Sequence, residues 1–139
     1  MFFPRVYMCL LAVSMPAIAA TLKYTRASLA DAGVVHSGDG TFFDTGLGAC
    51  GETNTDADLI AAVGHVLFDT FPGFNGANPN ANPVCGKTIT AKANGKSVTV
   101  KVVDRCVGCS EFDLDFSPAA FQQLADESAG RIAITWSFD

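Results

Sequence analysis

The sequence predicts a mainly β domain that closes into a small barrel of short strands with one short α-helix. Residues 98–102 carry valine at every second position, which is typical of a half-buried strand. The dipeptide Asn94-Gly95 just before them predicts a hairpin turn. Ser117-Pro118 supplies an N-cap residue and a first-turn proline, so a helix is expected to begin there. Many short strands followed by one late helix favour a barrel over a sandwich.

The remaining strands are predicted from shorter patterns. Leu22 and Tyr24 alternate in an N-terminal arm and indicate a first short strand, and the run from Ser37 to Gly40 indicates a turn. Residues 59–63 fit either a helix start or a strand; the β-branched content and Gly64 favour a strand that breaks and resumes. Expected strands therefore cover residues 59–63, 66–68, 88–90 and 131–136.

The N-terminus resembles a secretory signal peptide. Arg5 is followed by an apolar run, and Ala17-Ile18-Ala19 fits the small-residue pattern of a signal-peptidase site. We therefore expect residues 1–19 to be a signal peptide, residues 20–139 to be one domain, and the protein to be secreted.

Removal of the signal would leave four cysteines, which in an oxidising compartment predict two disulfides. Three pairings are possible, and the sequence alone does not choose between them. Cys50–Cys85 with Cys106–Cys109 is favoured because the second pair is close in the chain under any fold. The alternatives for Cys106–Cys109, a redox pair or half of a zinc site, lack the surrounding thioredoxin-like pattern or a second ligand pair.

The charge of the chain limits its partners. The whole chain has a net charge of −5, and without residues 1–19, which hold only the basic Arg5, 8 basic and 14 acidic residues give −6. An acidic surface argues against nucleic acid and anionic membranes but is compatible with a neutral polysaccharide. We expect a monomer that needs no metal or other cofactor.

Two carboxylates stand where functional groups could lie. Asp104 ends the valine-rich strand, and Asp115 precedes the predicted helix. Asp113 and Asp115 flank Leu114, so an extended backbone sends both acids to one side. For two of the acids the alternatives are structural: Asp104 could cap the strand end, and Asp115 could stabilise the helix N-terminus. Asp113 is expected to be merely solvated.

Four motifs together resemble the RlpA-like double-psi β-barrel family, in particular the secreted single-domain expansin-like proteins of fungi called loosenins. They occur in the family's order: Gly48-Ala49-Cys50-Gly51, Cys85-Gly86-Lys87, Val102-Val103-Asp104-Arg105-Cys106 and the run from Asp113 to Phe121. The resemblance covers residues 21–139 and implies a six-stranded double-psi β-barrel in an extracellular setting.

The resemblance also implies a polysaccharide-binding groove. Its residues would be Thr41, Phe42, Phe43, Asp104 and Asp115. Phe43 replaces the tyrosine of the expansin groove motif, and Asp113 replaces the family's histidine. Trp136, in an alternating strand, is expected in the core, and His36 and His65 need no functional interpretation.

Three functions remain in consideration. The favoured one is non-hydrolytic loosening of a cell-wall polysaccharide, either cellulose or chitin. A protease inhibitor or host-interacting effector is the first alternative, acting through loops such as residues 71–82. A weak glycoside hydrolase or lytic transglycosylase is the second, with Asp115 as acid and Asp44 as the one candidate base in its loop.

Overall fold

Six strands in the order β1-β5-β2-β4-β3-β6 close into a barrel in the computed structural model, which describes residues 30–139. The predicted signal peptide and the strand expected at Leu22 and Tyr24 lie outside the described residues. The strands are β1 (His36–Phe42), β2 (Ile60–Gly64), β3 (Thr88–Ala93), β4 (Lys96–Cys106), β5 (Leu114–Phe116) and β6 (Ile132–Phe138). The helices are α1 (His65–Asp69) and α2 (Pro118–Gln122), with 3-10 turns at Pro79–Ala81 and Glu127–Ala129. The prediction of a six-stranded barrel is confirmed.

The hairpin β3–β4 has the predicted form. Its strands pair antiparallel from Thr88↔Lys101 to Ala93↔Lys96, and Asn94 and Gly95 form the turn with positive φ angles of 53° and 72°. The valines of β4 at positions 98, 100 and 102 are buried, as their alternation predicts. Trp136 of β6 is 1% exposed, so its predicted place in the core is confirmed.

Residues 30–139 contain two short α-helices where the sequence predicted one. Residues 66–68, predicted as a strand, belong to α1 instead. Leu67 and Phe68 are both buried, and neighbouring residues of a strand would point to opposite faces. A helical turn brings both side chains to the core, and this burial outweighs the strand preference of the segment.

The predicted turn at Ser37–Gly40 is also wrong, because these residues lie within β1. The glycines allow other chain segments to approach the backbone of β1 closely. A Cβ at Gly38 would lie 2.2 Å from the carbonyl oxygen of Phe112. A Cβ at Gly40 would lie 2.9 Å from the Phe116 ring. Glycine-rich sequence here marks a strand that other chain segments cross closely.

Helix α2 begins as predicted. The Ser117 hydroxyl accepts a hydrogen bond from the Ala120 N–H, and Pro118 occupies the first turn. The same hydroxyl donates to the Asp58 carbonyl at 2.5 Å. Ser117 is fully buried, so its hydroxyl ties α2 to the segment before β2.

Both favoured disulfides are present. Cys50–Cys85 joins residues 35 positions apart, and Cys106–Cys109 closes a turn of separation 3. The first ties the loop before β2 to the turn that precedes β3, and the second braces the turn after β4. Within residues 30–139, no helix has the length and apolarity needed to cross a membrane.

Candidate functional site

A row of four residues crosses the outer face of the barrel from β1 to β4. Thr41 pairs with Asp115, Asp115 pairs with Ala62, and Ala62 pairs with Asp104. Residues opposite one another on neighbouring strands present their side chains to the same face. Only β2 separates the two acids, so their Cα atoms lie about 10 Å apart at ordinary strand spacing. This acid row brings together three of the residues predicted for a groove.

Local sequence explains the outward direction of Asp115. Its neighbours in β5, Leu114 and Phe116, are both fully buried, so alternation turns Asp115 away from the core. In β2, Ala61 and Val63 belong to the core in the same way, which places Ala62 on the outer side between the two acids. A bulge between the pairs of Ala61 and Ala62 brings Asp104 into the row.

The Asp115 carboxylate has one oxygen that accepts a hydrogen bond from the protein and one that accepts none from the described residues. The Thr41 hydroxyl donates to Oδ1 at 2.6 Å. Oδ2 lies 4.0 Å from the sulfur of Cys106, which carries no proton because it is in a disulfide. Among the described residues, nothing else donates to Oδ2, so this oxygen is available to a ligand.

Burial raises the pKa of Asp115 above its ordinary value, because the half-buried carboxylate loses hydration. The hydrogen bond from Thr41 and the positive charge of Arg131 oppose the rise, while the negative charge of Asp104 adds to it. Asp115 is therefore easier to protonate than an exposed aspartate.

Asp104 has the capping role considered from the sequence. Its Oδ1 accepts the backbone N–H groups of Ala49 and Arg105, each at 2.8 Å. No described residue donates to Oδ2. The Ala49 contact depends on a close approach at Gly48, where a Cβ would lie 2.4 Å from the Val103 carbonyl oxygen. One carboxylate thus anchors the loop and keeps an oxygen for a ligand.

The two phenylalanines differ in their surroundings. Phe42 packs against the core, with its ring 5.0 Å from that of Phe121. Phe43 is half-buried, and its N–H donates to the Phe116 carbonyl, which extends the strand by one residue. Alternation places Phe43 on the same side as Thr41, so Phe43 is the groove candidate and Phe42 is a core residue.

Asp113 is not a merely solvated acid, contrary to the sequence expectation. Its Oδ1 accepts the Asp39 N–H and its Oδ2 accepts the Ser110 N–H, both at 2.9 Å. These bonds hold β1 against the turn that follows β4. At the position of the family's histidine, this chain therefore has a structural carboxylate.

Asp44 and His36 stand apart from the acid row. Asp44 is exposed, and its side chain contacts no described residue through a hydrogen bond or ion pair. His36 is buried and stacks on Phe112 with ring centroids 4.7 Å apart. The sulfurs of Cys106 and Cys109 and an Asp115 oxygen lie within 4.8 Å of one another, but disulfide sulfurs are not metal ligands while the bridge is intact.

Comparison with known proteins identifies the barrel. The profile of the family described as lytic transglycolase, a double-psi β-barrel, matches residues 35–136. The papain inhibitor of Streptomyces mobaraensis is 38% identical over 102 residues, covering 70% of this chain and 66% of the inhibitor. Allergen Asp f 7 of Aspergillus fumigatus is 36% identical over 107 residues, covering 71% of this chain. The match spans 35% of the allergen's length.

Two solved structures are also similar. The Streptomyces papain inhibitor superposes with a TM-score of 0.68 at 33% identity, covering 77% of this chain and 96% of the inhibitor. A variant of the Clavibacter michiganensis expansin in complex with cellohexaose superposes with a TM-score of 0.62 at 25% identity. That match covers 76% of this chain and 50% of the expansin. Family profile, relatives and barrel topology agree that the chain belongs to the RlpA-like double-psi β-barrel family.

Proposed function

We propose that this chain is a secreted expansin-like protein that binds a cell-wall polysaccharide, cellulose or chitin, along the acid row. Residues 1–19 would be its signal peptide, and the two disulfides suit an oxidising compartment. Binding would loosen the wall by competing for contacts between glycan chains, without cleaving them. The protein would act as a monomer and without a cofactor.

The observation that carries the proposal is the pair of free carboxylate oxygens, one on Asp115 and one on Asp104. Carboxylates accept hydrogen bonds from sugar hydroxyls, and such charge-assisted bonds are stronger than neutral ones. Thr41 holds Asp115 in place at 2.6 Å, and Phe43 offers a ring beside it for a sugar face. The complex of the similar expansin with cellohexaose supports the same class of ligand.

The arrangement of the acids favours binding over hydrolysis. An inverting glycosidase needs a protonated acid and an ionised base that are both held in place around a water. Asp115 could supply the acid. Asp44 is exposed and unanchored, and Asp104 has one oxygen engaged by two backbone N–H groups. A base misplaced by about 1 Å can cost a hundredfold in rate.

Pull-down on insoluble cellulose and chitin, paired with a reducing-sugar assay, tests the proposal. Asp115→Asn should weaken binding by about tenfold or more, because hydrogen bonds to a charged group contribute about 1.5–3 kcal/mol. Asp31→Asn is the matched control, since this exposed carboxylate makes no hydrogen bond or ion pair with any described residue.

Two results would overturn the proposal. Equal binding by folded Asp115→Asn and wild type would leave Asp115 a structural residue. Soluble sugars that accumulate with the wild type and disappear with Asp115→Asn or Asp44→Asn would make the protein a glycoside hydrolase or lytic transglycosylase.

Inhibition of a papain-like cysteine protease is the second candidate, favoured by the likeness to the Streptomyces inhibitor over 96% of its length. An inhibitor, or an effector that binds a host protein, would act through exposed loops. Leu47 and Val107 are 75% and 73% exposed, in segments adjoining the two disulfides. Titration against papain separates the functions: Val107→Asp should weaken inhibition, and Asp115→Asn should not.

A further inference from the structure

A depression of about 400 Å³ adjoins the loop that Asp104 anchors. Ala49, Asp69, Phe74, Pro79 and Arg105 contribute to its lining. The loop that carries Phe74 and Pro79 follows α1, and none of the groove residues predicted from the sequence lies in the depression. Its volume is within the range of about 300–1,000 Å³ usual for ligand sites.

Ala49 joins the depression to the acid row. Its N–H donates to Asp104 at 2.8 Å, and the same residue lines the depression. Gly48 precedes it and has no side chain. Ala49 therefore borders both surfaces, and an extended ligand on the acid row that passes over it would enter the depression.

The rim of the depression carries a paired cation and anion. Arg105 donates from Nε to Asp69 Oδ1 at 2.7 Å and from Nη2 to Oδ2 at 2.6 Å. These bonds lower the pKa of Asp69, so the pair stays ionised at ordinary pH. The Nη1 of Arg105 donates to no described residue, and the two side chains are 31% and 43% exposed.

Such a pair offers both donors and acceptors while remaining neutral overall. Neighbouring hydroxyls of a sugar can donate to the carboxylate and accept from the guanidinium. A lone cation would favour an anionic ligand, whereas this pair suits an uncharged one. It also holds both side chains in a fixed geometry before any ligand arrives.

Phe74 supplies an aromatic wall. Its N–H donates to the Phe71 carbonyl at 3.0 Å, and its ring lies edge-on to Phe68 at 5.9 Å. The ring is half-buried, so it is held by the core and still reaches the surface. A fixed flat ring next to paired polar groups can bind the apolar face of a pyranose while the polar groups bind its edge.

We propose that this depression is an additional sugar subsite, in which Phe74 stacks on a pyranose ring and the Arg105–Asp69 pair binds its hydroxyls. The inference rests on the proposed polysaccharide function and extends it. Short oligosaccharides bind on the acid row alone, and longer ones reach across Ala49 into the subsite.

Calorimetric titration with oligosaccharides of three and six units, from both the cello- and chito- series, tests the subsite. Phe74→Leu and Arg105→Gln should each lower the affinity for the hexasaccharide by about tenfold and leave the trisaccharide unchanged. Asp115→Asn should lower both affinities. Asp69→Asn offers a second way to disrupt the pair if Arg105→Gln folds poorly.

Phe74→Tyr keeps the ring and should bind like the wild type, and Lys92→Gln controls for the loss of a positive charge on the exposed face of β3. If the depression variants bind the hexasaccharide as the wild type does, the subsite is wrong. It is also wrong if they lose the same affinity for both lengths. Neither result would contradict binding on the acid row. A wild type that binds neither hexasaccharide would overturn both. Variants that lose only papain inhibition would assign the depression to a protease contact.

Discussion

The barrel has a regular half and an irregular half, and the candidate site lies in the irregular one. Strands β3 and β4 pair antiparallel over six consecutive positions without a shift, and β6 continues the sheet from β3 in the same sense. Across the barrel, β1–β5 and β2–β4 are parallel, and the β2–β4 register shifts at Ala61/Ala62. The outer surface of the regular half presents hydroxyls such as those of Thr90 and Thr99, 3.0 Å apart.

The difference shows how this fold places polar groups. In the regular half, alternation alone decides what faces solvent. In the irregular half, the bulge aligns Asp104 with Ala62 and Asp115, and glycines let other backbone segments pass close by. The acid row therefore depends on contacts between distant segments and should be the more sensitive half.

Gly64→Ala should have the largest effect. A Cβ there would lie 2.0 Å from the carbonyl oxygen of Ser110, which belongs to the backbone and cannot rotate away. We expect a loss of more than about 4 kcal/mol in the free energy of unfolding, measured by denaturant titration. Gly46→Ala, with no atom within 4 Å of the new Cβ, is the control. Equal stability of both variants would contradict the close packing of the irregular half.

Removal of the disulfides should have the next largest effect. Replacing Cys50 and Cys85 by alanine should lower the free energy of unfolding by about 3.8 kcal/mol, since loop entropy grows with the separation of 35 residues. The same change at Cys106 and Cys109, with separation 3, should cost about 1.6 kcal/mol. A larger loss at the shorter bridge would mean that it supports the acid row by more than loop closure.

The pH dependence of Asp115→Asn should show a smaller effect than either bridge. Because burial raises the pKa of Asp115, its ionisation disfavours the folded state. The protonated Asp115 stabilises the folded state below the ordinary aspartate pKa of 3.8, and this stabilisation is lost as pH rises through the raised pKa. The free energy of unfolding of Asp115→Asn should therefore increase relative to that of the wild type as pH rises through that window. If the variant instead became relatively more stable as the pH is lowered, burial would not be what sets the pKa of Asp115.

Thr99→Ala, on the regular half, should have the smallest effect. Thr99 is exposed, so we expect a change within about 0.5 kcal/mol in the free energy of unfolding. Polysaccharide binding should match the wild type in the pull-down. If Thr99→Ala loses binding, the glycan binds on the regular half, and the assignment of the site to the irregular half is wrong.

The regular half could be predicted from the sequence because its signals are local. The alternation of Val98 and Val100 and the Asn94-Gly95 turn each act within a few residues, and each has the predicted structure. The Ser117 cap after β5 is also a local signal, and it was predicted for the same reason. Resemblance to the family supplied Thr41, Asp104 and Asp115 as candidates. It did not distinguish Phe42 from Phe43, which the direction of β1 separates.

The sequence by itself determined the strands with regular alternation, the start of α2 and the presence of two bridges once the four cysteines shared an oxidising compartment. Only the tertiary structure decided the strand order, the strand through Ser37–Gly40, the helix at His65–Asp69 and the bulge that aligns Asp104. The physical reason is the range of the interactions. Periodicity states which face of a segment is apolar, whereas register between strands distant in the chain is set by the packing of the whole barrel.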